Sequence, residues 1–106
     1  MQLSTTPDIT GFKIIENIGI ARGSTVRARN IGRDFMAGLK NIVGGEIVEY
    51  TRLLADSREE AINRMIEDAR EMGANGIVNV RFQTAAVMQG CSEILAYGTA
   101  VQLKEE

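Results

Sequence analysis

The sequence contains no histidine and no tryptophan, and Cys91 is its single cysteine. Without histidine, the commonest general base of enzymes is absent, and nucleophile pairs of the Ser-His or Cys-His type are excluded. One thiol and no imidazole cannot supply the four ligands of a closed zinc site within one chain. A disulfide within the chain is excluded as well. We therefore expect a protein that is not an enzyme and that uses no cofactor.

The charge pattern also lacks features that mark particular partners. Twelve basic and 14 acidic residues give a formal net charge of -2, and the two signs are mixed along the chain. There is no basic stripe of the kind that nucleic-acid-binding domains carry. No apolar run approaches the ~20 residues of a membrane span, and the first residues do not resemble a signal peptide. We expect one cytoplasmic domain, residues 1–106, with neither nucleic acid nor membrane as a partner.

The first part of the chain predicts strands. Residues 3–6 suggest a short strand that ends at Pro7. Residues 13–29 then alternate between apolar and polar side chains, which indicates one long strand with a single buried face. Gly19 and Gly23 interrupt the alternation and predict bulges or a bend. The side chains predicted to be buried all have even numbers: Ile14, Ile18, Ile20, Val26 and Ala28.

Two helices are predicted next, separated by a double glycine. Asn30 is a suitable N-cap for a short helix, and Gly44-Gly45 follows where that helix should end in a left-handed residue. A longer amphipathic pattern runs through residues 47–72 and keeps its phase across a capping-box sequence at residues 57–60, so we predict an uninterrupted helix. Gly73 is placed to be its C′ residue.

The last third of the chain predicts a β-hairpin. Val78, Val80 and Phe82 alternate with polar residues, a turn is expected at residues 88–90, and a final strand runs from about residue 92 to 103. We predict an α+β fold with a three-stranded antiparallel or mixed sheet in the order 1-3-2, packed on the long helix. Both faces of the last strand are apolar, which suggests that neighbouring subunits cover the second face in a homo-oligomer.

Few residues form a recognisable site. Gly44 and Gly45 do not fit the spacing of a phosphate-binding loop. We therefore expect that these two residues and Gly73 are glycines because of the backbone conformation at the helix ends, and that they bind no ligand. Asn30, Arg33 and Asp34 form the densest polar cluster beside a helix start. This cluster is either an anion or ligand site or an ion pair between subunits.

Several segments together resemble the YbjQ-like proteins, a bacterial and archaeal family catalogued as heavy-metal-binding and otherwise uncharacterised. The resemblance implies a dodecin-like β-α-β-β subunit assembled into a homopentameric ring. Arg29 and Glu46 depart from the family pattern, which has a small residue before the asparagine and a basic residue after the double glycine. The segments that carry the resemblance are STTP (4–7), NIGRDFMAGLKNIVGG (30–45), EY (49–50), GANGIV (73–78) and GTAV (98–101).

Two hypotheses of function follow. The first is a non-enzymatic ring that binds a small ligand or a partner in clefts between subunits. The alternative is heavy-metal binding or sequestration, with copies of Cys91 brought together around a symmetry axis. Each chain supplies only one soft ligand, so we expect no resident metal.

Overall fold

A computed structural model describes residues 1–27, 45–88 and 91–106. It shows an α+β fold in which one long helix packs on one face of a four-stranded mixed sheet. The strand order is β1-β3-β4-β2. The predicted short helix that starts at Asn30 and the predicted turn at Gln89-Gly90 lie outside the described residues. The elements are β1 (Gln2–Leu3), β2 (Phe12–Arg27), α1 (Gly45–Glu71), β3 (Gly76–Met88) and β4 (Cys91–Glu105).

The sheet corrects the three-stranded prediction. The short N-terminal strand is part of it, because Gln2 and Leu3 pair in parallel with Gly76 and Ile77. The hairpin strand β4 lies between β3 and β2 and is antiparallel to both. The sequence pattern of β1 shows no signal for this pairing, since a strand of two residues has no periodicity to detect.

The long helix α1 is continuous through the capping-box sequence, as predicted. Thr25 Oγ1 donates a hydrogen bond to the carbonyl oxygen of Ser57 (3.3 Å), so this part of the helix packs on the sheet. The helix is followed by Gly73 with a φ of 86°. Gly73 N–H donates to the Arg70 carbonyl (2.9 Å) and Ala74 N–H to the Ala69 carbonyl (3.0 Å), which is the hydrogen-bond pattern of a Schellman motif. Within the described residues, no helix is both long and apolar enough to cross a membrane.

The predicted buried face of β2 is wrong over its second half. Ile20 is 67% exposed and Val26 is 55% exposed, whereas the odd-numbered Ala21 and Thr25 are buried under α1. Two register shifts against β4, one between Ile14 and Glu16 and the other between Asn17 and Gly19, each insert one extra residue, so that together they restore the original alternation. Ile20 and Val26 therefore lie on the same face of the sheet as Ile14, the face away from α1. The alternation of a single strand does not indicate which of its two faces another element covers.

Gly23 is the point at which helix and sheet approach most closely. A Cβ atom at this position would overlap the backbone nitrogen of Met65 and the carbonyl oxygen of Ala61. Ala61 and Met65 are completely buried in the core between α1 and the sheet. The absence of a side chain at Gly23 therefore allows the helix backbone to lie directly on β2.

The core has a smaller second part on the face of the sheet away from α1, which we call the far face. Val78, Val101 and Leu103 are buried there, and partly buried residues of the N-terminal half pack against them: Ile9, Phe12 and Ile14. Asn79, with a φ of 55°, lies within a register shift between Val78 and Arg81. As a result Val78 packs on the far face and Val80 packs against the core under α1.

Replacing Gly23 by alanine should destabilise the protein, because either α1 or β2 must shift to accommodate the methyl group. We expect a loss of about 1–3 kcal/mol, the usual range for an overpacked core. Gly19 is the matched control on the same strand, since nothing lies within 4 Å of a Cβ built there. Thermal unfolding followed by circular dichroism at equal protein concentration measures the difference. Equal melting temperatures for Gly23→Ala and Gly19→Ala would contradict the close contact.

Candidate functional site

The residues predicted to form a site fall into two groups. Asn30, Arg33, Asp34 and Gly44 lie outside the described residues, so the predicted polar cluster remains a prediction. Gly45 is the first residue of α1, Gly73 follows its last turn, and Cys91 is the first residue of β4 and pairs with Met88. Gly45 and Gly73 lie at opposite ends of α1, so these three residues do not form a common site.

The outer edge of β2 is instead the place where side chains converge. Arg22 N–H donates to Asp68 Oδ2 (3.0 Å), and Arg64 Nη1 donates to the carbonyl oxygen of Ser24 (2.5 Å). Asp68 and Arg64 lie one turn apart on α1, so they meet backbone groups two residues apart on the strand. The helix thereby satisfies backbone groups that an edge strand otherwise leaves to solvent or to another chain.

Two open grooves flank this edge and share Arg22 and Arg64 as lining residues. The first groove, of about 400 Å³, lies along α1 and is rich in carboxylates. The second, of about 550 Å³, lies over β2 and β4 and is bordered by Ser24, Glu93 and Leu95. The remaining lining residues of the first groove are Glu60, Asn63, Glu67, Asp68 and Glu71.

The carboxylates of the first groove are largely committed to neighbours. Glu60 pairs with Arg64 at 2.5 Å, Glu67 pairs with Arg70, and Asp68 accepts the Arg22 amide. The two ion pairs are about half exposed and contribute little stability. Within the part of the chain that the structure describes, no group of three or more His, Cys, Asp or Glu residues is arranged to hold a metal ion. The groove therefore has the chemistry of a polar, hydrogen-bonding surface.

The second feature is the part of the far face that no described residue covers. Ile20 and Val26 are exposed there, beside the partly buried Leu95 and Tyr97 of β4. Leu95 and Tyr97 lie on the far face because they alternate along β4 with Ile94 and Ala96, which are buried under α1. This surface joins apolar side chains from neighbouring strands and is suited to packing against another apolar surface.

The sequence pattern does not reveal the residues of the β2 edge. No local signal separates Asp68, whose carboxylate reaches the strand, from Glu60 and Glu67, which make exposed ion pairs on the same helix. The contacts join residues that are 40 and 46 positions apart. The one local signal is Gly23, which marks where α1 can approach the backbone of β2 closely enough for these bonds.

Loss of the Asp68 carboxylate should expose the Arg22 amide and weaken the contact between α1 and β2. We expect Asp68→Ala to lower stability by about 1 kcal/mol, the typical contribution of one hydrogen bond. Asp68→Asn should lower stability less than Asp68→Ala, because the amide oxygen of asparagine can still accept a hydrogen bond from the Arg22 N–H. Glu67→Ala is the control, since Glu67 makes only an exposed ion pair on the same helix. Thermal unfolding of the three variants tests this order, and an equal loss in Asp68→Ala and Glu67→Ala would refute it.

Comparison with known proteins gives a consistent result over almost the whole chain. The model of a family described as "Putative heavy-metal-binding" matches residues 1–104. A UPF0145 protein of Methanosarcina acetivorans is 54% identical over 97% of each chain. A second UPF0145 protein, from Dehalococcoides mccartyi, is 57% identical over 95% of this chain and 97% of its own. A solved structure from Pediococcus pentosaceus, titled a protein of unknown function of the DUF74 family, has a TM-score of 0.63. It covers 98% of both chains at 14% identity, and therefore supports the fold alone.

Proposed function

The chain belongs to the YbjQ family, in which it is similar to the UPF0145 proteins, and we propose that it is the subunit of a closed, non-enzymatic homo-oligomeric ring. Five copies is the ring size that the family resemblance implies. In this proposal the assembled ring is cytoplasmic and binds a small ligand or a partner in clefts between subunits. The absence of histidine from the sequence supports a binding role over a catalytic one.

The part of the far face that no described residue covers is the observation that carries the proposal. Ile20 is 67% exposed and Val26 is 55% exposed, although both belong to β2 and lie near Leu95 and Tyr97 of β4. Full burial of one such aliphatic side chain contributes about 1.5–3 kcal/mol. A second copy of the chain is the partner that is always present, and closed symmetry buries the same surface on every copy.

The grooves along the edge of β2 provide the clefts. Each groove is open on the side away from its own chain and is walled by Arg22 and Arg64. A neighbouring subunit placed against the far face would border the second groove, which contains Leu95 of that face. Guanidinium groups are suited to recognising the carboxylate or phosphate groups of a ligand.

The mass of the protein in solution tests the assembly. Light scattering coupled to size-exclusion chromatography should report about five times the chain mass of 11.6 kDa at micromolar concentration. A smaller closed oligomer would correct the ring size and leave the proposal in place. A stable monomer of 11.6 kDa would refute it, because the far face would then be exposed to water.

The family description makes heavy-metal binding the second candidate, and the described residues do not fit it. Glu60 and Glu67 of α1 are paired with arginines and Asp68 with the strand backbone. Within residues 1–27, 45–88 and 91–106, the acidic side chains form no group of metal ligands. A thiolate site needs several soft ligands at fixed distance, and each chain supplies only Cys91.

We therefore predict that the protein folds and assembles without a metal. Calorimetric titration with zinc should show no tight, saturable binding, and Cys91→Ser should leave the melting temperature and the oligomer mass unchanged. Wild-type protein purified without chelator is the reference. Stoichiometric zinc binding that disappears in Cys91→Ser would restore the heavy-metal interpretation.

A further inference from the structure

The side chain of Asn75 joins the turn after α1 to the end of β4. Its Nδ2 donates to the carbonyl oxygen of Leu103 (3.0 Å), and its Oδ1 accepts from the Leu103 N–H (2.7 Å). We call this pair of hydrogen bonds the Asn75 joint. The backbone of Asn75 is held as well, because its N–H donates to the Val101 carbonyl (3.2 Å) and its carbonyl oxygen accepts from the Gln2 N–H (3.1 Å). One residue therefore links β1 and β4 where the chain passes from α1 into β3.

The fold requires both residues of the Asn75-Gly76 pair. A carboxamide carries a donor and an acceptor side by side, which matches the N–H and the carbonyl oxygen of Leu103. At Gly76, a Cβ atom would overlap Leu103 Cδ1 and would lie 3.3 Å from Val101 Cγ2. Both of these side chains are buried in the core of the far face, so moving them would disturb its packing. The structure thus favours an Asn-Gly sequence at this position.

The same two residues are chemically labile. Glycine has no side chain to shield its amide nitrogen, so an asparagine before it is prone to deamidation. The Gly76 nitrogen attacks Cγ of Asn75, the bond from Cγ to Nδ2 breaks, and ammonia leaves with the proton of the Gly76 amide. Water then opens the succinimide ring at either of its carbonyl groups and gives aspartate or isoaspartate. Water is the only reagent that the reaction consumes, and Asn75 is exposed to it.

The Asn75 joint opposes the first step of this reaction. Nδ2 and Oδ1 are both held by Leu103, so Cγ cannot turn towards the Gly76 nitrogen until these bonds break. Gly76 is itself buried and paired with Val101, which restrains the backbone that must close the ring. Strand ends open more readily than strand centres, and β4 ends at Glu105, two residues beyond Leu103. Opening of this end releases both restraints.

We propose that Asn75 is a site of spontaneous deamidation that the Asn75 joint protects and that reacts when the end of β4 separates from it. This modification is independent of the proposed ring, since every group in it belongs to one chain. Its product cannot re-form the joint, because a carboxylate has no donor for the Leu103 carbonyl and repels it. Isoaspartate also lengthens the backbone where β1 pairs with β3. Deamidation therefore marks permanently the chains in which the joint has opened.

Mass spectrometry after digestion with trypsin measures the reaction at this residue. Cleavage after Arg70 and Arg81 gives the peptide EMGANGIVNVR, residues 71–81. Asn79 in the same peptide is an internal reference, because the β-branched residue that follows it hinders ring closure. During incubation in mildly alkaline buffer, Asn75 should react at least about tenfold more slowly in the folded protein than in a synthetic copy of the peptide, since two hydrogen bonds must break first. Protein unfolded in guanidinium chloride should react at the rate of the peptide. Equal rates in the folded protein and the peptide would overturn the proposal.

The variant Asn75→Asp represents the product and tests its effect on the fold. We expect its melting temperature to be lower than that of the wild type by roughly 4–8 °C, because the donor to the Leu103 carbonyl is lost. Asn63→Asp is the matched control, since it adds the same charge at an exposed position of α1 and should melt close to the wild type. An Asn75→Asp chain that does not fold supports the proposal as well. Equal melting temperatures of the two variants would overturn it, because a deamidated chain would then regain the native fold.

Discussion

The contact between α1 and β2 at Gly23 determines how the rest of the chain is arranged. Because no side chain separates them there, the helix backbone lies directly on the strand and its flanking residues reach the strand's edge. The helix packs mainly on β2, less on β4 and barely on β3. Among the described residues it is the one element that covers the sheet over Ala21 and Ala96. Because α1 lies towards the β2 edge, it leaves most of β3 without contact to the helix among the described residues.

The two edges of the sheet consequently have opposite properties. At β2, charged side chains of α1 bond to the strand, and bulges disturb the regular ladder. At β3, the N-terminal segment ends its pairing at Val80, and a regular uncharged edge follows. The bonds from α1 protect the β2 edge against pairing with another strand, whereas no described residue protects the β3 edge beyond Arg81. The clefts beside Arg22 and Arg64 lie at the protected edge.

Features set by local chemistry could be predicted from the sequence, and those set by long-range contacts could not. The continuous helix follows from an apolar stripe that keeps its phase across residues 57–60, and Gly73 has the left-handed φ that glycine allows. The failure at Ile20 and Val26 arose because the alternation of one strand does not indicate which face the helix covers, and α1 covers the face of Ala21 and Thr25 instead. The role of Asp68 depends on a strand 46 residues away, which no local pattern encodes. The family resemblance was confirmed, and the predicted cluster at Asn30 lies outside the described residues.

The central claim is that other copies of the chain cover the face that α1 leaves open, and thiol labelling tests it most directly. Two single-cysteine variants, Ile20→Cys and Glu59→Cys, are made in a Cys91→Ser background and checked for wild-type oligomer mass. Both positions are exposed in one chain, Ile20 on the far face and Glu59 on the outer side of α1. The account predicts slow modification of Ile20→Cys and fast modification of Glu59→Cys by the same reagent. Equally fast modification of both in the assembled protein would show that the far face is open to water and would contradict the account.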